Sequence, residues 1–176
     1  IVLESGTLGS GMTPLTTAHL SNVMDRGLSA IIRLHGEQGA RLAVQSHTAA
    51  IEWIERTATA ESIACDFERV DGYLFASSNG SESHIEAEWQ AARRVGQTTV
   101  ARYDSASPLA FPTGPYLRFT RQAQFHPMKY LSGLARAVEQ KGGRLFTNAH
   151  VTEVDANPHI SVKTRNGRQV SANSVV

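Results

Sequence analysis

A mixed α/β fold, of α/β or α+β type, is predicted by three features of the sequence. Helical spacing runs through residues 28 to 58, where Leu28, Ile31, Ile32, Ala43, His47, Ala50, Ile51 and Ile54 fall on one face. A second helix opens at His126-Pro127, places Met128, Leu131, Leu134, Ala135 and Val138 on one side, and stops at Gly142-Gly143. Period-two alternation appears near the end, where Ile160, Val162 and Thr164 precede Asn166-Gly167 and Val170 resumes the strand. Helices thus alternate with strands, and pattern alone leaves the sheet type undecided.

Taken in order, Ile1 to Glu4 reads as a short buried strand, followed by a glycine-rich stretch, Gly6-Thr7-Leu8-Gly9-Ser10-Gly11. The long helix carries Gly36 and Gly39 in its middle, so a kink is expected there. Cys65 to Val70 and Gly72 to Ser77 read as two strands joined at Asp71-Gly72, a turn dipeptide. Asn79-Gly80-Ser81 reads as a loop and helix start. Ile85, Trp89, Ala92 and Val95 mark the helix face, with Gly96 at its C-terminal side. Residues 101 to 115, with Pro108, Pro112 and Pro115, read as irregular, and Tyr116 to Phe125 as one or two strands. Leu145-Phe146 and Val151 to Val154 are short strands. Asn166-Gly167 favours a type I′ turn, which matches strand twist.

Composition removes several function classes. The 176 residues are 41% hydrophobic and 19% charged, with a formal net charge of +1. That suits one globular domain or parts of two, and gives no bulk field for nucleic acid or an acidic membrane. No apolar run approaches the roughly 20 residues of a membrane helix. Cys65 is the only cysteine, so no internal disulfide forms and no cysteine metal site can be built. A reducing, cytoplasmic compartment fits. The seven histidines show no H-x-x-x-H spacing, so no metal is expected. No G-x-S-x-G elbow is present for a serine hydrolase. The chain opens and closes inside apolar runs, which reads as an internal piece of a larger protein.

The first residues admit three readings. A strand ending in an acid is the unit that binds ribose hydroxyls in dinucleotide folds, and Glu4 stands at that position. The plainer reading makes Glu4 the first solvated residue after a strand. Gly6 to Thr13 also spells G-x-x-x-x-G-M-T, but Met12 stands where a phosphate loop needs lysine to neutralise phosphate charge. The third reading gives the glycines nothing more than a surface turn.

Read together, Ile1-Val2-Leu3-Glu4, Gly9-Ser10-Gly11-Met12-Thr13 and Thr16-Thr17-Ala18-His19-Leu20 resemble the glycine/D-amino-acid oxidase family of FAD-dependent oxidoreductases. The match continues through Arg41-Leu42-Ala43, Trp53-Ile54-Glu55, Cys65-Asp66-Phe67-Glu68-Arg69, Gln122 to Pro127 and Gly142-Gly143-Arg144, so it covers nearly the whole chain. The branch it most resembles often carries an additional Rieske iron–sulfur domain, which is implied elsewhere in the parent chain.

The resemblance implies a partial Rossmann-like FAD-binding fold plus a substrate domain with an antiparallel or mixed sheet. Residues 1–60 would be a partial FAD-binding region with the long helix, 61–142 a substrate-domain portion, and 143–176 a return to the FAD-binding domain. It implies FAD contacts at Glu4, Ser5, Gly11, Thr13, Thr16, Thr17 and, through its backbone, Val151. It also implies a small-molecule substrate, an amine or amino acid whose C–H beside nitrogen passes hydride to flavin, leaving an imine for water to hydrolyse. His126 and Arg118 are substrate candidates, with Arg121 beside them. The plainer readings are a helix-start residue, surface arginines and, for Val151, a core valine. His47, Trp53 and Trp89 read most simply as core. Two departures from the family stand out. Its G-x-G-x-x-G turn is absent, and Leu15 stands where many relatives have Arg or Lys near the phosphates. That turn supplies the pyrophosphate grip, so this chain alone is expected to hold FAD weakly or not at all.

Overall fold

The computed structural model describes residues 1–76, 82–104, 110–111, 113–156 and 159–176. Its elements, in order, are β1 (Val2–Leu3), β2 (His19–Leu20), α1 (Leu28–Ala60), β3 (Glu68–Phe75), α2 (Glu82–Arg94), β4 (Val100–Tyr103), β5 (Tyr116–Gln124), α3 (Pro127–Gln140), β6 (Leu145–Phe146), β7 (Val151–Asp155), β8 (Ile160–Thr164) and β9 (Gln169–Ala172). The mixed α/β class follows from this order. The chain crosses repeatedly between two compact units. Unit 1 takes Ile1–Thr17, Ala60–Cys65 and His126–Val176, and unit 2 takes Ala18–Thr59 and Asp66–Phe125.

Unit 2 is built on an antiparallel sheet with β5 at its centre. β3 runs along one edge of β5, and β4 and β2 share the other. Leu117 and Phe119 of β5 point into a core with Val44 of α1 and Ile85, Ala91 and Ala92 of α2. Ile85 and Leu117 are fully buried, each worth about 1.5–3 kcal/mol of apolar burial. The helix predicted over 28 to 58 is α1, and it breaks at Gly36, whose φ of 71° lies outside the helical region. Helix α2 ends just before Gly96, which takes a φ of 75°.

Unit 1 holds the parallel pair β1–β6, the antiparallel sheet β7–β8–β9, and α3. Helix α3 begins as the sequence predicts. Pro127 needs no N–H partner there, and His126 Nδ1 accepts the backbone N–H of Lys129 at 3.3 Å.

Several expectations are corrected. The first strand is short and half-open rather than buried, with Val2 44% exposed, because β6 is its single strand neighbour among the described residues. Asp71-Gly72 is not a turn between two strands. It lies inside the continuous β3, opposite a bulge where β5 spends an extra residue and Arg121 adopts φ 63°. Residues 100–103, read as irregular from position 101, pair with β5 as β4. The Asn166-Gly167 hairpin is not type I′. Gly167 N–H bonds Thr164 O, Thr164 N–H bonds Arg168 O, and only Gly167 has positive φ, which is a three-residue loop. Trp53 and His47 are exposed rather than core, His47 with its Nδ1 3.3 Å from Ser21 O, while Trp89 packs against the core. The loop and helix start at Asn79-Gly80-Ser81, the strand end at Ser77, and Pro108 and Pro112 lie outside the described residues.

Candidate cofactor site

The end of β1 is tied down by backbone before any side chain acts. Glu4 N–H bonds Phe146 O, Ala149 N–H bonds Glu4 O, and Asn148 N–H bonds Gly6 O, each at 2.8 Å. These bonds fasten Glu4 to Gly6 along the segment that joins β6 to β7, and so fix where the Glu4 side chain leaves the chain. Its Oε1 accepts the Gly6 N–H at 2.8 Å. The carboxylate is therefore oriented, with acceptor capacity to spare.

Glu4 lines a cavity of about 480 Å³ with Ser5, Gly6, Leu8, Gly9, Ser10, Gly11, Thr13 and Leu131. The glycine-rich stretch wraps it, and Leu131 of α3 adds an apolar wall. A turn closes the wrap, with Ser10 N–H on Thr7 O at 2.9 Å. Gly9 has a φ of 76°, and a Cβ there would stand 2.4 Å from the Met128 methyl. Glycine is thus what lets this loop lie against α3.

Of the residues that the resemblance implies for the cofactor, Glu4, Ser5, Gly11 and Thr13 come together around this one cavity. Thr13 opens a 3-10 turn, Thr13–Leu15, and Thr16 and Thr17 follow it in exposed, extended chain. Val151 lies elsewhere in unit 1. It lines an apolar cavity of about 820 Å³ with Ile1, Val2, Leu3, Val154, Val162 and Val170, among others. It also pairs with Thr164 on β8, at the edge of its sheet. Reading the sequence missed His150, whose Nδ1 lies 2.8 Å from Ser5 Oγ. It also missed Ser10, Met128 and Leu131.

The two substrate candidates fall in different units. His126, in unit 1, spends Nδ1 on its helix cap. Arg118, in unit 2, is half-exposed on β5, with Nε 3.6 Å from Asp71 Oδ2. Arg121 is more exposed and stands 4.0 Å from Glu52.

A strand ending in an oriented carboxylate over a glycine-wrapped cavity suits the ribose of an adenine dinucleotide, whose hydroxyls donate to such an acid. The family model described as FAD-dependent oxidoreductase (DAO) matches residues 1–176. A curated relative from Bacillus subtilis (strain 168), YhfW, whose name describes a Rieske 2Fe-2S iron-sulfur protein, is 26% identical over the whole chain and 34% of its own length. Glycine oxidase from Geobacillus kaustophilus superposes with a TM-score of 0.72 at 16% identity, over 98% of this chain and 46% of that one. L-Amino acid deaminase from Proteus myxofaciens, solved with anthranilate, also gives 0.72, at 12% identity, over 94% of this chain and 36% of that one. The chain therefore spans less than half the length of these relatives, and no described helix is long and apolar enough to cross a membrane. With its whole length matched by the family model and its fold shared with amino-acid oxidases, the chain belongs to the FAD-dependent oxidoreductase (DAO) family.

Proposed function

We propose that the intact protein oxidises a small amine or amino-acid-like substrate, and that the Glu4 cavity receives the adenosine end of FAD. The observation that carries this reading is the Glu4 carboxylate, pinned by the Gly6 N–H at the end of a parallel strand and facing a glycine-lined cavity. Bound FAD would supply the hydride acceptor. The chain's own residues would do the holding. Glu4 would accept the ribose hydroxyls, Ser5 would be steadied by His150, and Gly11 and Thr13 would line the cofactor's path with Thr16 and Thr17. Val151 would offer backbone groups to the adenine edge. Arg118 would take a substrate carboxylate, and His126 would face substrate through the ring nitrogen that its cap leaves over. The kinship with YhfW supports a Rieske domain elsewhere in the parent protein.

Replacing Glu4 with alanine in the intact protein tests the assignment. Charged hydrogen bonds of this kind are worth about 1.5–3 kcal/mol each, so flavin affinity is expected to fall at least about tenfold. Titration of the purified apoprotein with FAD, followed by flavin fluorescence, reads this directly. An unchanged affinity removes Glu4 from the site.

A second reading rests on one feature, the absence of G-x-G-x-x-G from the 176 residues. Without that turn's backbone N–H groups the cofactor's pyrophosphate has no cradle. On this reading the 176-residue chain folds but does not retain flavin. Stoichiometric flavin absorbance in the purified chain would overturn it.

A further inference from the structure

Beyond the break at Gly36, α1 carries two opposed stripes. Val44, Ile51 and Ala58 recur every seven residues and are buried. Leu42, Ala49 and Trp53 fall about half a turn round from them and are exposed, Leu42 by 57% and Trp53 by 66%. Leu42 and Trp53 are three helical turns apart, about 16 Å along the axis. Between them the stripe carries only small side chains, Ser46 and Ala49, both exposed. Water thus meets two large apolar side chains on the stripe where a surface helix normally turns its polar residues outward.

This pattern of large, small, small, large is its own complement when reversed. A second α1 turned end for end, about a two-fold axis level with the His47–Thr48 bond, sets Leu42 against Trp53 of the second copy and Ser46 against its Ala49. Each contact then occurs twice. The small pair at the centre lets the two helices approach closely, and the large side chains close both ends. Arg56, with Cζ 5.8 Å from the centre of the Trp53 ring, comes opposite Gly39 of the second copy, which has no side chain to crowd it. Charge agrees with the fit. Arg41 and Glu52 share one flank of the stripe, and the same two-fold brings Glu52 within about 3 Å, along the axis, of Arg41 of the second copy. Their contacts within the chain are long, Arg41 to Arg94 O at 3.3 Å and Glu52 to Arg121 at 4.0 Å. Opposite charges on the flanks of two paired helices set both partner and orientation. A net charge of +1 adds little repulsion between copies.

We propose that α1 packs antiparallel against α1 of a second copy of this chain, forming a two-fold dimer through unit 2. A copy of the same helix supplies both sockets and both charges from one sequence, whereas an unrelated partner would have to match each of them separately. One helix pair is a small interface, so the dimer is expected in the micromolar rather than the nanomolar range. The contact uses none of the residues assigned to cofactor or substrate.

Sedimentation velocity of the intact, flavin-loaded protein between about 1 and about 100 µM tests the pairing. A shift from monomer to dimer across that range is expected, weakened at least about tenfold in Trp53→Ala, which removes the largest side chain of the seam from both ends. Glu52→Lys should weaken dimerisation severalfold, and adding Arg41→Glu to it should restore the original strength. Ala49→Cys, close to the axis, should give a disulfide-linked dimer on mild oxidation, and Gln140→Cys on α3 should not. A monomer at every concentration overturns the pairing, and is the result expected if the rest of the parent chain covers the stripe instead. Self-association that Trp53→Ala leaves unchanged overturns it too, as does a Glu52→Lys effect that Arg41→Glu fails to reverse, or an Ala49→Cys variant that does not cross-link. Arg41, Ala49 and Trp53 are exposed, so these variants should fold. Should Trp53→Ala fail to do so, the charge pair and the cross-link still decide.

Discussion

Glu88 and Glu4 both accept backbone N–H groups, and they are put to opposite uses. Glu88 of α2 is 4% exposed and spends both oxygens on the start of α1. Leu28 N–H bonds Oε2 at 2.6 Å, Ser29 N–H bonds Oε1 at 3.1 Å, and the Ser29 hydroxyl donates to Oε1 as well. A negative group there also meets the positive end of the helix dipole. Glu4 accepts one N–H and lines a cavity. The difference teaches how to tell a structural acid from an available one. Glu88 has its acceptors filled by its own chain, whereas Glu4 is aimed by one bond and keeps capacity for a ligand.

The sharpest way to break this contrast is Glu88→Ala. It strands one buried and one part-buried N–H and removes a cap, so unfolding free energy should fall by about 2–4 kcal/mol in a urea titration. Flavin affinity of the protein that remains folded should hold. Glu4→Ala should do the converse, weakening flavin with little loss of stability. A Glu88 variant as stable as the unmodified protein would erase the distinction.

Glycine sharpens it next. Gly27 has a φ of 77°, and a Cβ there would lie 2.6 Å from Glu88 Oε1, a carboxylate already committed to three bonds. Gly9 meets the flexible ends of Met128 and, at 3.3 Å, Leu131. Gly9→Ala should therefore cost about 1–2 kcal/mol, mostly backbone strain, and Gly27→Ala more than that. Thermal melts of the two variants side by side check the order.

The smallest effect belongs to a third acid. Glu55 accepts from Arg69, which holds its carboxyl below the ordinary value of 4.5, with Arg121 adding to the pull. A lowered folded value means that the stabilisation is present above the ordinary carboxylate range and is lost as pH falls through the lowered one. The pair is partly exposed, so it is worth less than about 1 kcal/mol. Glu55→Gln should slightly flatten the acid side of the stability–pH profile, as followed by melting temperature.

What could be read from the sequence was local. Helix α3 was legible because Pro127, one apolar face and Gly142-Gly143 lie within a single stretch. The break in α1 was legible at Gly36 for the same reason. The four residues that gather at the cavity were reached through one short segment, Glu4 to Thr13. What escaped depends on partners far along the chain. His150 meets Ser5 across 145 positions, with no periodicity to announce it. Asp71-Gly72 has turn chemistry, and only the pairing of β3 with β5 keeps it inside a strand. Strand β4 is too short to alternate visibly, yet β5 gives it a register. Trp53 has the size of a core residue, yet it stands two residues from buried Ile51 and so on the opposite side of α1.

The two tryptophans follow from that last point into a practical property. Trp53 is 66% exposed with Arg56 over its ring, and Trp89 packs against the unit 2 core beside Arg93. The fluorescence of the chain is therefore a sum of two unlike emitters. A water-soluble quencher such as iodide reaches Trp53 first, and the emission left behind is Trp89, whose colour reports whether the α2 face of unit 2 is still packed.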